Sequence, residues 1–432
     1  MFASCATLSL AMKHPYNRRS VYSWAMYDWA NSAFATTVMA GFFPIFFKQY
    51  WSSGLDVHVS TFYLGAANAI ASGTVALMAP LIGSVADQGG ARKRFLLCFC
   101  ALGAIMTGLL FLVQKGDWFT AVLFYVLAIV GFAGGNVFYD SLIVTVAPKQ
   151  KLDFVSALGY SLGYLGGGVL FGLNVLMTLK PQIFGLAGSA DAVRLSFMTV
   201  AVWWAAFALP LFLFVKETKA PSSKRIGAVI CGSLDQLATT FREIRRFRTV
   251  FTFLVGYWLY IDAVDTVILM AVDYGLSLGF DYTVLIQALL ITQFVGFPAA
   301  ILFGKIGEWI GTKRGIFIGL GVYIGIAFWG YLMERQIEFY VLSIGVGLVQ
   351  GGVQSLSRSY FARLIPEDRS AEFFGFYNML GKFAAIIGPF LMGWVSMVTG
   401  NPRYSIFAVI GLFLAGGIVL YRVKETAVNQ QG

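Results

Sequence analysis

Twelve long apolar runs divide the chain, and each is long enough to cross a lipid bilayer as one helix. A spanning helix needs about 20 mostly apolar residues, whereas a strand of a membrane β-barrel needs about ten residues in strict alternation. Because the runs are longer than a strand and continuously apolar, they predict an all-α integral membrane protein with 12 transmembrane helices. The runs cover residues 21–47, 60–86, 95–113, 118–143, 154–178, 195–215, 249–272, 282–304, 315–333, 337–357, 372–398 and 404–421.

The proportion of charged residues excludes a soluble protein. Charged residues make up 12% of the chain and hydrophobic residues 58%, whereas about 25% of the residues in a soluble protein are charged. The two histidines and four cysteines show no metal-ligand spacing. No glycine-rich phosphate loop followed by Lys and Ser or Thr occurs. We therefore expect no metal site, no cofactor and no enzyme activity.

The distribution of basic residues predicts the orientation of the chain. Twelve spans put both termini on one side; 24 of the 31 Lys and Arg residues fall on that side, 6 on the other, and Lys382 inside a span. Because basic residues accumulate on the cytoplasmic side, both termini are predicted to be cytoplasmic. Their dispersal among short loops argues against nucleic-acid binding. Since no organelle-targeting segment is visible, the expected location is a bacterial inner (plasma) membrane.

An internal repeat divides the twelve spans into two halves of six. GSVADQGGARKR (83–94) follows the second span and GKIGEWIGTKR (304–314) follows the eighth. Both read Gly-x-x-x-acid-x-x-Gly before basic residues. VKET recurs in the same way after the sixth and twelfth spans, at 215–218 and 423–426. Such internal repetition is typical of transporters built from two related bundles.

The repeat predicts three parts of the chain. Residues 1–217 would form one six-helix bundle and residues 249–432 a second, pseudo-symmetric one. Residues 218–248 would form a cytoplasmic linker between them. The linker ends in the basic stretch FREIRRFR, which predicts an amphipathic helix on the anionic membrane surface.

Polar residues also repeat between the first and seventh spans. The first span carries Asp28, Asn31 and Ser32 in YDWANSAF, and the seventh carries Asp262, Asp265 and Thr266, each 234 positions later. The spacing i, i+3, i+4 places each set on one helical face. Ionisable groups inside a bilayer usually face a bundle interior or water, so the faces predict substrate or proton binding in a central cavity. The alternative is a buried hydrogen-bond network or, above all for Asp28, a gate contact.

Lys382 is the one basic residue that we place inside a span, and three roles are open to it. The first role is an ion pair with Asp262 or Asp265, and the second is binding of a substrate carboxylate. In the third, the ammonium group of Lys382 extends to the membrane interface. Two acids and one lysine would suit a zwitterion, with its ammonium on the acids and its carboxylate on Lys382. Tyr257 and Asn378 are further candidates for the cavity wall.

The ends of the fourth and tenth spans carry one charged residue each. Asp140 and Arg358 lie at equivalent positions, 218 residues apart. One hypothesis is a contact between them across the two halves. The other is that both lie hydrated at the cytoplasmic boundary.

Two copies of the Gly-acid-Gly-basic loop in a twelve-span chain resemble the major facilitator superfamily, over nearly the whole chain. YDWANSAF and NMLGKFAAIIGP (378–389) resemble the subfamily of vacuolar amino-acid effluxer-like permeases and their bacterial relatives. The resemblance implies that the loops after spans two and eight latch the halves together on the cytoplasmic side. It assigns the latch to two sets of residues: Gly83, Asp87, Gly90 and Arg92, and then Gly304, Glu308, Gly311 and Lys313.

The chain departs from the common pattern of these loops. Gln88 stands where Arg is frequent, Ala91 follows the second glycine, and Glu308 replaces Asp. The first latch is therefore expected to depend more on the basic residues 92–94. A tight, positively charged turn whose acid caps a helix N-terminus is the alternative.

These patterns predict a monomeric secondary active transporter that works by alternating access. The resemblance implies small polar solutes, amino acids above all, as substrates, with efflux as one direction of a reversible cycle. The energy would come from protons as the coupling ion or from the gradient of the solute. A lipid flippase of the same fold and a substrate sensor without transport are the alternatives. The expected partners are the solute, protons and the lipid bilayer.

Overall fold

A computed structural model describes residues 17–217 and 248–423. In these two stretches, twelve helices are long and apolar enough to cross a membrane. The prediction of an all-helical membrane protein with 12 spans is confirmed. The predicted linker helix at 218–248 lies, except for its last residue, outside the described residues.

The spanning helices divide into six before the linker and six after it. In chain order they are α1 (Arg18–Trp51), α2 (Val57–Gly89), α3 (Arg92–Leu109), α4 (Trp118–Ser141), α5 (Leu152–Leu179), α6 (Ser189–Phe214), α7 (Arg248–Ser277), α8 (Tyr282–Ile310), α9 (Thr312–Leu332), α10 (Gln336–Leu364), α11 (Ser370–Thr399) and α12 (Ile406–Tyr421). We call α1–α6 the N-terminal half and α7–α12 the C-terminal half.

Helix α1 changes from an α-helix to a π-helix midway. Arg18–Ala33 is α-helical, Phe34–Phe42 is π-helical, and a second π-helical turn covers Phe47–Trp51. Pro44 lies between the two π-helical segments, where its missing N–H removes one intrahelical hydrogen bond. π-Helical turns occur frequently at functional sites, and this one directly follows the polar face that begins at Asp28.

Glycines let α1 lie directly against α5. A Cβ at Gly159 would lie 2.6 Å from Oδ2 of Asp28, and a Cβ at Gly163 would lie 2.6 Å from Oγ of Ser32. Any larger side chain would displace these polar groups. Small residues at helix interfaces allow such close backbone approach inside membranes. The glycines of α5 therefore bring the polar face of α1 to the centre of the bundle.

The two halves meet where α2 packs against α11 and where α5 packs against α8. A Cβ at Gly83 would lie 2.3 Å from the carbonyl oxygen of Ala371, and a Cβ at Gly304 would lie 2.5 Å from Cβ of Ala157. Both glycines, which lie in the last turns of α2 and α8, are therefore points of contact between the halves. We call the end of the bundle that carries these two loops the basic end, and the other the opposite end.

Arg358 lies inside α10 rather than beyond its end. The predicted tenth run stops at residue 357, whereas the helix continues to Leu364, and Arg358 is only 2% exposed. The expectation that Lys382 is the one basic residue inside a span is therefore wrong, and so is the alternative that Arg358 is hydrated at the boundary. The polar residues of SLSRS (355–359) lower the local hydropathy, which conceals this part of the helix from a search for apolar runs.

The contact between α3 and α4 gives a prediction about stability. A Cβ at Gly131 would lie 2.4 Å from the backbone nitrogen of Gly103, so the two backbones touch. We expect Gly131→Ala to lower the unfolding temperature of the purified protein, since overpacking costs about 1–3 kcal/mol. Gly321→Ala is the control, because nothing lies within 4 Å of a Cβ added there. Equal unfolding temperatures, measured by intrinsic fluorescence, would contradict this packing.

Candidate functional site

A cavity of about 450 Å³ lies between the two halves, within the size range of small-molecule sites. Its floor, toward the basic end, is polar and includes Asp28, Asn31, Ser32, Asn136, Tyr139, Asp140, Tyr160, Gln354, Arg358 and Asn378. Toward the opposite end the wall formed by the C-terminal half is mostly apolar; it includes Leu285, Leu289, Ile326, Met333, Phe339, Leu342 and Ile406, with the polar residues Tyr274, Thr292 and Ser343 among them. We call this second region the apolar lobe.

Arg358 is the centre of the polar floor. Its Nη1 lies 2.9 Å from Oδ1 of Asp140, and its Nη2 lies 3.4 Å from Oδ2 of Asp28. Nε donates to Oγ of Ser156 and Nη2 to the backbone oxygen of the same residue, both at 2.9 Å. One arginine of the C-terminal half thus contacts α1, α4 and α5. The contact between Asp140 and Arg358 was one of the two sequence hypotheses, and the structure places the two side chains in an ion pair.

The two carboxylates on the floor each have a second partner. Tyr139 donates its hydroxyl to Oδ2 of Asp28 at 2.7 Å, and Asn378 donates Nδ2 to Oδ2 of Asp140 at 3.1 Å. Both carboxylate side chains line the cavity and are 13% and 10% exposed, respectively. Two ionised carboxylates beside one guanidinium leave an excess negative charge. Such a charge is unfavourable inside a bilayer unless a proton or a cation balances it.

Other residues predicted from the sequence also line this cavity. Asn31 donates Nδ2 to Oδ1 of Asn136 on α4 at 2.7 Å. Tyr257 stacks on Tyr377 with 4.1 Å between the ring centroids. Ser32 lines the same cavity. The structure therefore brings the polar face of α1 together with residues from α4, α7 and α11.

Asp262, Asp265 and Lys382 are not among the residues that line the cavity. Asp262 is 1% exposed, and its Oδ1 accepts the backbone N–H of Gly388 on α11 at 2.9 Å. Asp265 and Lys382 attract each other electrostatically, but no ion pair within 4 Å between described residues includes Lys382. The structure thus separates two sets of charges that the sequence analysis combined in one cavity.

Asp87, at the end of α2, joins the halves at the basic end. Its Oδ2 accepts the backbone N–H of Glu372 at 2.8 Å, and its Oδ1 accepts that of Ala371 at 3.2 Å, in the first turn of α11. A carboxylate at a helix N-terminus also interacts favourably with the helix dipole. Nε of Arg92 lies 2.7 Å from the same carboxylate, and Nη2 donates to the backbone oxygen of Glu367 at 3.1 Å. Asp87 and Arg92 together therefore connect the two halves.

The second loop is not a copy of the first. Glu308 pairs with Lys151 at 3.1 Å, and the lysine side chain is 51% exposed. Asp153, at the start of α5, instead accepts the hydroxyl of Thr312 at 2.9 Å and pairs with Arg363 at 2.9 Å. The buried acid that joins the halves here thus comes from α5, and the sequence analysis did not single it out.

The remaining residues predicted for the loops make contacts or turns inside their own half and do not join the two halves. Gly90 and Gly311 have φ angles of 55° and 97°, a conformation that side chains other than glycine rarely adopt. Lys313 donates Nζ to two carbonyls at the end of α12, at 3.0 and 2.7 Å. Lys93 does the same at the end of α6, at 2.9 and 2.6 Å. Both lysines stabilise helix C-termini inside their own half.

Two tyrosines of the cavity were not predicted from the sequence. Tyr160 and Tyr164 of α5 both line it, and the guanidinium of Arg358 lies 4.4 Å from the ring centroid of Tyr160. Their i, i+4 spacing places them on one helical face. That spacing, within the run that contains Gly163, was the signal that could have identified them.

The difference between the loops gives a prediction about the basic end. We expect Asp87→Asn to raise the fraction of molecules open at this end, because the variant loses the ion pair with Arg92 and weakens the cap on α11. Glu308→Gln is the control, because an exposed ion pair contributes about 0–1 kcal/mol. The measurement is alkylation of Ser156→Cys by a membrane-impermeant reagent. Equal rates in the two backgrounds would contradict the assignment of the latch to Asp87.

The chain matches known proteins over nearly its whole length. The model of a family described as "Vacuole effluxer Atg22 like" matches residues 16–431. The MFS-type transporter YxiO of Bacillus subtilis (strain 168) is 37% identical over 414 residues, which cover 95% of this chain and 96% of that protein. Autophagy-related protein 22 of Candida glabrata is 24% identical over 379 residues, which cover 75% and 69%, respectively. The crystal structure of the human organic anion transporter MFSD10 superposes on this chain with a TM-score of 0.71 at 14% sequence identity. The superposition covers 93% of this chain and 99% of the MFSD10 chain, which shows a shared fold.

Proposed function

The chain belongs to the vacuole effluxer Atg22-like family of major facilitator superfamily (MFS) transporters, and we propose that it carries small polar solutes, amino acids above all, by alternating access. It is a multi-pass membrane transporter and not an enzyme. The family description speaks of effluxers, and efflux is the direction that we propose for this chain.

The cavity between the halves is the observation that supports this proposal. Its polar floor lies on the side of the cavity toward the basic end, where Asp87 and Asp153 form contacts that join the halves. Its apolar lobe reaches toward the opposite end. A solute bound on the floor would be released toward the basic end only after these contacts break. Rocking of the two halves about the cavity is the motion that would break them.

Protons are the coupling ion that we propose. The floor contains the carboxylates of Asp28 and Asp140 with one guanidinium, and one proton would balance their excess charge. Asp262, which is buried, and Asp265 and Lys382, which are half-buried, form a second set with the same balance of charges. We propose the first set as the place where solute and protons meet, and the second as a further proton-binding site. Asn31, Ser32, Tyr257 and Asn378 would contribute polar contacts to the solute.

The orientation and location are parts of the same proposal. The basic end carries residues 83–94 and 304–314, and basic loops face the cytoplasm in most membrane proteins. We therefore propose cytoplasmic termini, a plasma membrane location and a monomer. In this orientation the structure is closed to the cytoplasm.

Flux into liposomes tests the proposal. Purified protein is reconstituted with a panel of labelled amino acids and an imposed pH gradient, and uptake is compared with protein-free liposomes. We expect saturable uptake of at least one amino acid that the gradient accelerates. Uptake that ignores the gradient would contradict proton coupling, and absence of uptake across the panel would contradict amino-acid transport. Asp191→Asn, at an exposed ion pair on α6, is the control variant.

A further inference from the structure

Three glutamine side chains line the cavity, from the edge of the polar floor toward its middle. They are Gln350 and Gln354 of α10 and Gln293 of α8. Gln350, Gln354 and Arg358 follow each other at intervals of four residues, which places them on one helical face. With a rise of about 1.5 Å per residue, Gln354 lies about 6 Å and Gln350 about 12 Å from Arg358 along the helix axis. A solute of the size of an amino acid that is bound on the floor therefore reaches the level of Gln354.

Contacts of neighbouring glycines place Gln293 close to the level of Gln350. A Cβ at Gly168 of α5 would lie 3.1 Å from Cβ of Gln293. The backbone oxygen of Thr292, the neighbour of Gln293 in the chain, would lie 3.0 Å from a Cβ at Gly347 of α10. Gly347 comes less than one helical turn before Gln350. Side-chain amides of α8 and α10 therefore line the same part of the cavity.

The three amides have hydrogen-bonding capacity that the protein does not use. No hydrogen bond between described residues involves the side chain of Gln293 or Gln350. The hydroxyl of Tyr164 lies 3.5 Å from Oε1 of Gln354, and no described group bonds to Nε2 of that residue. A side-chain amide offers two donors and one acceptor oxygen. Because an amide that loses water without a new partner costs free energy, these groups favour a solute that offers hydrogen bonds to them.

The floor has free groups for the charged end of an amino acid. Tyr139 and Arg358 both donate to Oδ2 of Asp28, and no hydrogen bond between described residues reaches Oδ1. Arg358 uses four of its five N–H groups inside the protein and keeps one on Nη1. Oδ1 of Asp28 would accept from an ammonium group, and Nη1 of Arg358 would donate to a carboxylate. The side chain of such a solute would extend from the floor toward the glutamines.

We propose that Gln293, Gln350 and Gln354 determine specificity and select amino acids whose side chain ends in a carboxamide. Two carboxamides can pair through two N–H···O bonds, one in each direction. Glutamine, whose amide lies one methylene farther from the charged groups than that of asparagine, matches the rise of about 6 Å from Arg358 to Gln354. This inference rests on the proposed function, because it assumes that an amino acid binds on the floor.

Binding of two matched amino acids tests the inference. Glutamine and homoleucine have side chains of nearly the same shape, but homoleucine carries two methyl groups in place of the amide oxygen and nitrogen. Both are titrated into the purified full chain, and the affinities are measured by calorimetry. We expect glutamine to bind at least about tenfold more tightly, because homoleucine leaves the glutamines of the protein unpaired. Equal affinities, tighter binding of homoleucine, or binding of neither would overturn the inference.

Substitutions assign the preference to the glutamines. Methionine is about as long as glutamine but has no amide, so Gln350→Met with Gln354→Met should weaken glutamine binding and leave homoleucine binding at least as tight. Retained homoleucine binding also shows that the variant is folded, and Gln354→Met alone takes its place if the double variant unfolds. Gln287→Met is the control, because Gln287 is exposed, bonds to Tyr340 and does not line the cavity. An undiminished preference for glutamine in the cavity variants would overturn the assignment.

The flux assay separates this inference from the proposed function. Amino-acid uptake by a protein that binds glutamine no more tightly than homoleucine would remove only the inference. Glutamine binding that depends on the three glutamines, without flux of any amino acid, would remove only the transport function.

Discussion

Arg358→Met should abolish transport and strongly destabilise the protein. Methionine fills part of the volume of arginine, but it leaves Asp28 and Asp140 without the guanidinium that lies 3.4 and 2.9 Å from them. Removal of one partner from a buried ion pair costs about 3–5 kcal/mol, because the other charge stays buried and unpaired. We expect the unfolding temperature to fall by several degrees and amino-acid uptake to fall to the level of protein-free liposomes.

A second substitution separates the charge from the volume. The double variant Arg358→Met with Asp140→Asn removes one charge of each sign, so it should regain part of the lost stability. Arg335→Met is the control for a lost arginine, because Arg335 is exposed at the start of α10. A single variant as stable and as active as the wild type, or a double variant less stable than the single one, would contradict the account of Arg358.

A disulfide across the basic end should arrest transport. A Cβ at Gly304 would lie 2.5 Å from Cβ of Ala157, and disulfides join Cβ atoms about 3.5–4.5 Å apart. A small relaxation therefore allows a bridge between α8 and α5 in the variant Ala157→Cys with Gly304→Cys. Since this bridge would hold the halves together at the basic end, we expect oxidation to stop uptake and a reductant to restore it.

The single variants control for this experiment. Each carries one new cysteine in addition to the native ones, of which Cys98 is exposed and Cys100 buried. Oxidation should leave uptake by both single variants unchanged. Full uptake by a double variant with the bridge formed would show that the basic end need not open for transport.

The twelve spans could be predicted because apolar length decides them locally. The end of α10 could not, since SLSRS reads as a polar boundary. In the structure Arg358 is compensated by Asp28 and Asp140, which lie 330 and 218 positions away in the sequence. Compensation over such distances depends on the tertiary arrangement, and a hydropathy profile contains no information about it.

The candidate site, like the spans, could be predicted from the sequence only in part. The face of Asp28, Asn31 and Ser32 follows from helical spacing, and these residues do line the cavity. Asp262 has the same spacing in α7, yet its carboxylate accepts the backbone N–H of Gly388 and lies outside the cavity lining. Pseudo-symmetry relates positions in the chain, but the packing of each neighbouring helix decides which of them face the cavity.

The loops depart from their repeat for a similar reason. Asp87 and Glu308 are equivalent in sequence, but Asp87 contacts the start of α11 whereas Glu308 pairs with Lys151 at the surface. At the second loop the buried position is taken by Asp153, which belongs to α5 of the N-terminal half. A repeated motif therefore predicted where the halves meet, and not which acid holds them.

The accessibility of a cysteine in the cavity tests alternating access most directly. Ala35 lines the cavity, and in Ala35→Cys a membrane-impermeant maleimide is added to either side of liposomes with the protein in one orientation. When the bridge of the variant Ala157→Cys with Gly304→Cys is also formed, we predict that Cys introduced at position 35 reacts with the maleimide only from the opposite end. When the bridge is absent, we predict that it reacts from both sides during amino-acid exchange. Labelling from the basic end with the bridge formed, or from one side only during exchange, would contradict a cavity that opens to the two sides in turn.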